Sequence, residues 1–181
     1  MSPQVVEGRR IAPPTGRGLD VDVILDLMIH DLQILQVMDA SPVVEVRAVG
    51  IPVLSERIDI ANARIAFASG LVANVTASRI SGERVRKLRA FFSDRYLSLD
   101  YQAQEIKGYR LDLAGGTRAI LPANPPVEKS EPLLRELQAF VAACRGERVR
   151  QVDGRAGRLA LATALDVVAA AAPRPAAAGR P

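Results

Sequence analysis

The chain has 181 residues, of which 49% are hydrophobic and 24% charged, with a formal net charge of +4. That length and composition fit one globular domain, or a small two-lobed one, able to bury a core without disulfides or structural metal, and they exclude wholesale disorder. No run approaches the roughly 18 consecutive apolar residues of a membrane helix. The leading MSPQVVEGRR has no apolar stretch ending in a small-residue cleavage site. The lone cysteine, Cys144, sits in an apolar helical pattern and reads as a core thiol, which excludes a disulfide framework or a multi-cysteine zinc site within one chain. A cytoplasmic protein without a membrane partner is expected. The basic excess is scattered and carried by arginine, the lysines being Lys87, Lys107 and Lys129, so no nucleic-acid stripe is read from it.

Residues 1–19 are rich in proline and glycine and read as an irregular lead-in, with the folded domain over 20–172 and a disordered tail over 173–181. From Val21 to Met38 the sequence is too uniformly apolar for a surface helix, which predicts a largely buried helix ending before Ser41-Pro42. Alternation then predicts three strands between Pro42 and Ile80, with Ser69-Gly70 turning between the last two. KLRAFFS, YLSLDY and EIKGYRLDL are further strands of a mainly antiparallel sheet. A helix follows with Ser130 as N-cap, Pro132 in its first turn and Gly146 as its stop. A last helix, about Arg155 to Ala171, carries Leu159, Leu161, Leu165 and Val168. The pattern is an α+β layer arrangement, an open sheet with helices on one face.

The first helix carries the strongest chemical signal. At about 100° per residue, Asp22, Asp26, His30 and Gln33 share a sector of roughly 80°, while Asp31 points elsewhere. Such a polar stripe must face a partner, a wet cleft or a substrate. His30 is the only histidine, and Asp26 lies one turn before it, where a carboxylate can orient an imidazole and raise its affinity for a proton. This suits general acid and base work on a hydroxyl; the bland reading is a surface pair or a satisfied buried histidine. The set is too sparse for a metal. Gly16-Arg17-Gly18 follows no predicted strand, Gly115-Gly116 reads as a hairpin turn, and no phosphate-binding loop occurs, so no nucleotide site is expected here. Asn74, Ser78 and Thr76 share one face of LVANVTASRI and Arg79 the other, so one of these groups could reach a ligand laid across the sheet; solvated sheet residues are the bland alternative.

With DVDVILDLMIHDLQIL on the helix, NARIAFASGLVANVTASRIS in the sheet and EPLLRELQAFVAACRGE followed by VDGRAGRLALATAL, the chain resembles the C-terminal domain of the Gfo/Idh/MocA oxidoreductases from about Arg10 to Ala171. RIAPPTGRGLDVDVILDLMIHD is most similar to bacterial members acting on sugar nucleotides. The resemblance implies a sheet that carries substrate and forms a homo-oligomer interface, and helices packed on a Rossmann half that holds NAD or NADP. It implies that His30 takes the proton of the substrate hydroxyl, that Asp26 orients sugar and imidazole, and that Arg17, Asp22, Asn74 and Arg79 are candidates for binding the substrate. The Rossmann half, its glycine fingerprint and the Glu-Lys-Pro segment have no match in these 181 residues, and none of the three lysines matches the family's catalytic lysine. The chain alone is therefore expected to bind no cofactor and to be silent, a fragment, a split subunit or a start inside a longer gene. The alternative is a non-catalytic dimerisation or small-molecule binding module. Helices without their Rossmann partner should expose an apolar patch.

Overall fold

The computed structural model describes residues 2–16, 18–113, 118–149 and 152–172. Its eight strands form one sheet: β1 (Val5–Ile11), β2 (Val43–Ile51), β3 (Ile60–Phe67), β4 (Val72–Ser78), β5 (Val85–Phe91), β6 (Arg95–Asp100), β7 (Glu105–Asp112) and β8 (Ala119–Pro122), in the order β2-β3-β4-β1-β5-β6-β7-β8. Every neighbouring pair is antiparallel except β1 and β4. The expected α+β sheet is present, and the alternation of small and branched residues explains it. Ala61, Ala63, Ile65 and Phe67 of β3, with Ala73, Val75 and Ala77 of β4, point to the buried face, while their polar neighbours point out.

The lead-in is corrected: residues 5–11 are not irregular but form β1, in the middle of the sheet. Val6 is fully buried there, and Gly8 is inward-facing, where an added Cβ would stand 3.3 Å from Val75 and 3.7 Å from Asp31. The missing side chain lets the first helix approach the sheet closely. The tail from 173 and the Gly115-Gly116 turn lie outside the described residues.

That helix begins with a π-helical turn, Ile24–Met28, and continues as α1 (Ile29–Met38). Ile24, Met28, Leu32 and Leu35 pack against Val6, Ile65, Val75 and Leu88 to form the core. Helix α3 (Gly154–Ala171), capped by the Asp153 carboxylate on the Ala156 amide, lies over β2 and α1. Its leucines Leu159, Leu161 and Leu165 are exposed. Ala160, Thr163, Ala164, Val167 and Ala171 face inward, because small residues let α3 lie close to α1, where Gln36 donates to Thr163 Oγ1 at 3.0 Å.

Helix α2 (Pro132–Cys144) is N-capped by the Glu131 carboxylate, which accepts from the Leu134 amide, rather than by Ser130, which Gln104 holds through both its amide and its carbonyl. Gly146, at φ +81°, lies just past its end as expected. No residue of α2 is buried: Leu133, Leu134, Leu137, Phe140 and Val141 are 45% to 62% exposed, and Cys144 is exposed rather than in the core. No helix among the described residues is long and apolar enough to cross a membrane.

Candidate functional site

The site is built around the start of the first helix, and a buried ion pair holds that start in place. Asp59 is sealed from solvent. Its Oδ2 accepts the amides of Val53 (2.7 Å), Leu54 (2.6 Å) and Ser55 (3.1 Å), and its Oδ1 accepts Arg79 Nε at 2.7 Å. Burial alone would raise its pKa; these amides and the guanidinium overcome that and hold it far below the usual carboxylate range. Arg79 Nη1 also donates to the carbonyls of Gly18 and, at 2.8 Å, Val21. Arg79 therefore positions the chain ahead of the helix, with its donors turned inward. The side chain is buried.

Asp22 is engaged in the same way. Its Oδ1 accepts the Ile58 amide at 2.9 Å, and its carbonyl accepts the amides of Leu25 and Asp26. Gly18, at φ +68°, folds over the Asp26 carboxylate so closely that an added Cβ would meet Asp26 Oδ2 at 3.3 Å. Asp26 sits half-buried within the π-helical turn, and π-turns often accompany functional sites. Arg17 lies outside the described residues.

His30 is exposed one turn on. The sequence alone points to Asp26 as its partner, raising its proton affinity; instead its pKa is lowered. Partial desolvation is the largest cause, Arg10 the next and Arg86 a further one. Asp31 and, more weakly, Asp26 oppose them. No hydrogen bond joins Asp26 to His30 among the described residues. The shift favours the neutral imidazole, the form that accepts a proton.

The groups missed in the sequence stand behind it. Asp31 is 1% exposed and receives Arg10 bidentately, Nε to Oδ2 at 3.1 Å and Nη2 to Oδ1 at 2.8 Å. Arg10 also lies over the Tyr101 ring, 6.0 Å from its centroid. Burial, with help from the Asp31 carboxylate, pushes the Tyr101 phenol up to about 12. Arg10, Arg86 and Tyr101 line a cavity of about 590 Å³ that extends past Ile34, one turn beyond His30. The alternation of Gly8 and Arg10 in VVEGRRI, set against a buried aspartate, was the available signal.

Asn74 lies on the opposite, uncovered face of the sheet, where it accepts from Arg64 Nη1 at 3.3 Å beside Asn62 and Thr76. The structure thus gathers Asp22, Asp26 and His30 at one helix start, sets Arg79 beneath them and puts Asn74 across the sheet. Among the described residues, no group of three or more His, Cys, Asp and Glu could hold a metal ion.

No family model matches the chain. It is 36% identical over 168 residues, 92% of its length, to the UDP-N-acetylglucosamine 3-dehydrogenase of Acidithiobacillus ferrooxidans. It covers 54% of that protein, so the chain spans about half the length of this relative. A solved structure of the enzyme GnnA from the same organism superimposes with a TM-score of 0.84 at 37% identity, over 93% of this chain and 54% of that one. An NAD-binding protein from Listeria innocua (TM-score 0.74, 16% identity, 93% of this chain and 53% of that one) and a levoglucosan dehydrogenase complexed with NADH and L-sorbose (0.75, 14%, 94% and 57%) share the fold. The matched half is the C-terminal one: the chain is a homologue of the C-terminal part of that UDP-N-acetylglucosamine 3-dehydrogenase, with the α+β fold of the Gfo/Idh/MocA-like oxidoreductases.

Proposed function

We propose that this chain is the substrate-binding and oligomerisation half of an NAD(P)-dependent oxidoreductase that acts on a hydroxyl of a sugar or sugar nucleotide. The observation that carries the reading is an exposed histidine one turn past a half-buried aspartate, beside an arginine-lined cavity, in a chain homologous to a sugar-nucleotide dehydrogenase. His30 accepts the hydroxyl proton, and Asp26 holds the sugar against it.

Among the described residues past β1, the Asp22 carboxylate takes the Ile58 amide and the Asp26 carboxylate lies against Gly18, negative charge that disfavours a pyrophosphate beside this turn. NAD or NADP therefore enters with a Rossmann half, and without it this chain turns over no substrate. The uncovered sheet face, with Val44, Val49 and Ile51 exposed beside Asn62, Asn74 and Thr76, is the proposed interface between copies.

The test supplies the nucleotide-binding half in trans and compares wild type with His30→Ala. Turnover should fall by about 10² or more with substrate affinity retained. Unchanged turnover removes His30 from the chemistry and favours the non-catalytic binding module.

A further inference from the structure

We propose that Arg10 and Arg86, side by side on the inner face of the sheet, form the subsite that takes the diphosphate of a nucleotide-linked substrate. The proposal rests on the preceding reading of the His30 site and names the part of the substrate bound beside it. Arg10 of β1 and Arg86 of β5 are directly opposed in the antiparallel register, so two guanidinium groups share one face of neighbouring strands. Like charges so placed destabilise a sheet unless an anion lies between or over them.

The protein supplies half of the compensation. Asp31 uses both oxygens on Arg10, engaging Nε and Nη2 and leaving the Nη1 edge of the fork for another acceptor. Because Asp31 is buried and clamps it bidentately, Arg10 is held rigidly at the cavity wall. Arg86 has no hydrogen bond or ion pair through its guanidinium among the described residues, whereas Asp100 and Glu105 of the same cavity are bound to Lys87 and Lys107. One oriented and one unpartnered guanidinium match a diphosphate, which offers several charged oxygens to planar forks. A cavity of about 590 Å³ falls within the roughly 300–1,000 Å³ of small-molecule sites. Its apolar wall, Leu99, Ile106 and Val127, suits the less polar remainder of a nucleotide. Ile34 brings the cavity to within one helical turn of His30, which would set the diphosphate next to the sugar being oxidised.

The experiment titrates the full chain calorimetrically with UDP, with inorganic pyrophosphate and with N-acetylglucosamine. Arg10→Ala would strand the buried Asp31 and jeopardise folding, so the probe is the exposed Arg86. Arg86→Ala should weaken UDP about tenfold to hundredfold, the range for charge-assisted hydrogen bonds, and leave N-acetylglucosamine unaffected. Arg86→Lys, which keeps the charge and loses the fork, should fall between. Arg95→Ala, the same charge removed from the far end of β6, should change nothing. Pyrophosphate weakened in parallel with UDP assigns the subsite to the diphosphate itself. UDP binding that is indifferent to Arg86, or that is absent at millimolar concentration, overturns the proposal. His30→Ala should retain UDP binding, so loss of the catalytic reading and loss of this subsite are separately visible.

Discussion

Replacing Arg79 with methionine keeps most of the aliphatic stem and removes the guanidinium that ties three segments together. The variant loses the 2.7 Å contact with Asp59 and the donations to the carbonyls of Gly18 and Val21, while Asp59 stays sealed from water. Breaking a buried pair on one side costs roughly 3–5 kcal/mol, because the remaining charge loses its compensation. Asp59 keeps three backbone amides and is covered by the 53–58 loop rather than by the core, so the lower end, about 3 kcal/mol, is expected. A domain this size loses about 2–4 °C of Tm per kcal/mol, which gives a fall of roughly 6–12 °C. Urea unfolding followed by far-ultraviolet circular dichroism reads this directly, the chain having no tryptophan. A loss below about 1 kcal/mol at unchanged m-value would show that the 18–22 segment holds its place without Arg79 and would refute a positioning role for Arg79.

Because His30 is the sole histidine, its pKa can be followed by proton NMR without assignment ambiguity. Arg86→Ala should raise it and Asp26→Asn lower it further; the reverse order would refute the charge environment described. Since the folded pKa lies below the ordinary imidazole value of 6.5, the folded chain binds that proton less tightly than the unfolded chain. The associated stability is fully present above the unfolded pKa and is lost as pH falls towards the folded one. On α2, the exposed Leu137 and Phe140 should drive self-association, and Leu137→Glu combined with Phe140→Glu should reduce it in analytical ultracentrifugation without altering helix content. A wild-type chain that stays monomeric at high concentration and binds no hydrophobic dye would contradict this.

What could be read from the sequence was what depends on local pattern. Alternation located β2 through β7, and the apolar run located the helix carrying Asp26 and His30. The strand at 5–11 escaped because prolines and glycines flank it and Gly8 interrupts its alternation, although that glycine is what lets Asp31 reach the sheet. The inward face of α3 is not legible in the sequence for a related reason: leucines outrank alanines in hydrophobicity, but close helix packing selects the smaller residue. Pairings across long separations, Arg10 with Asp31 and Arg79 with Asp59, leave no periodic trace. They decide which charged groups are free for chemistry and which are already committed.

The parallel insertion of β1 has a bearing on how the chain assembles. Take β1 away and the sheet divides into a three-stranded meander, β2-β3-β4, and a four-stranded one, β5-β6-β7-β8, each closed by contacts between sequence neighbours. Joining them requires residues 5–11 to find partners at 72–78 and 85–91, a loop closure of more than sixty residues on either side. The two meanders can therefore form early and independently, while their union waits for the slowest, least local step. Arg10 travels on that same strand, so the cationic wall of the cavity comes into being at the moment the two halves of the sheet are joined.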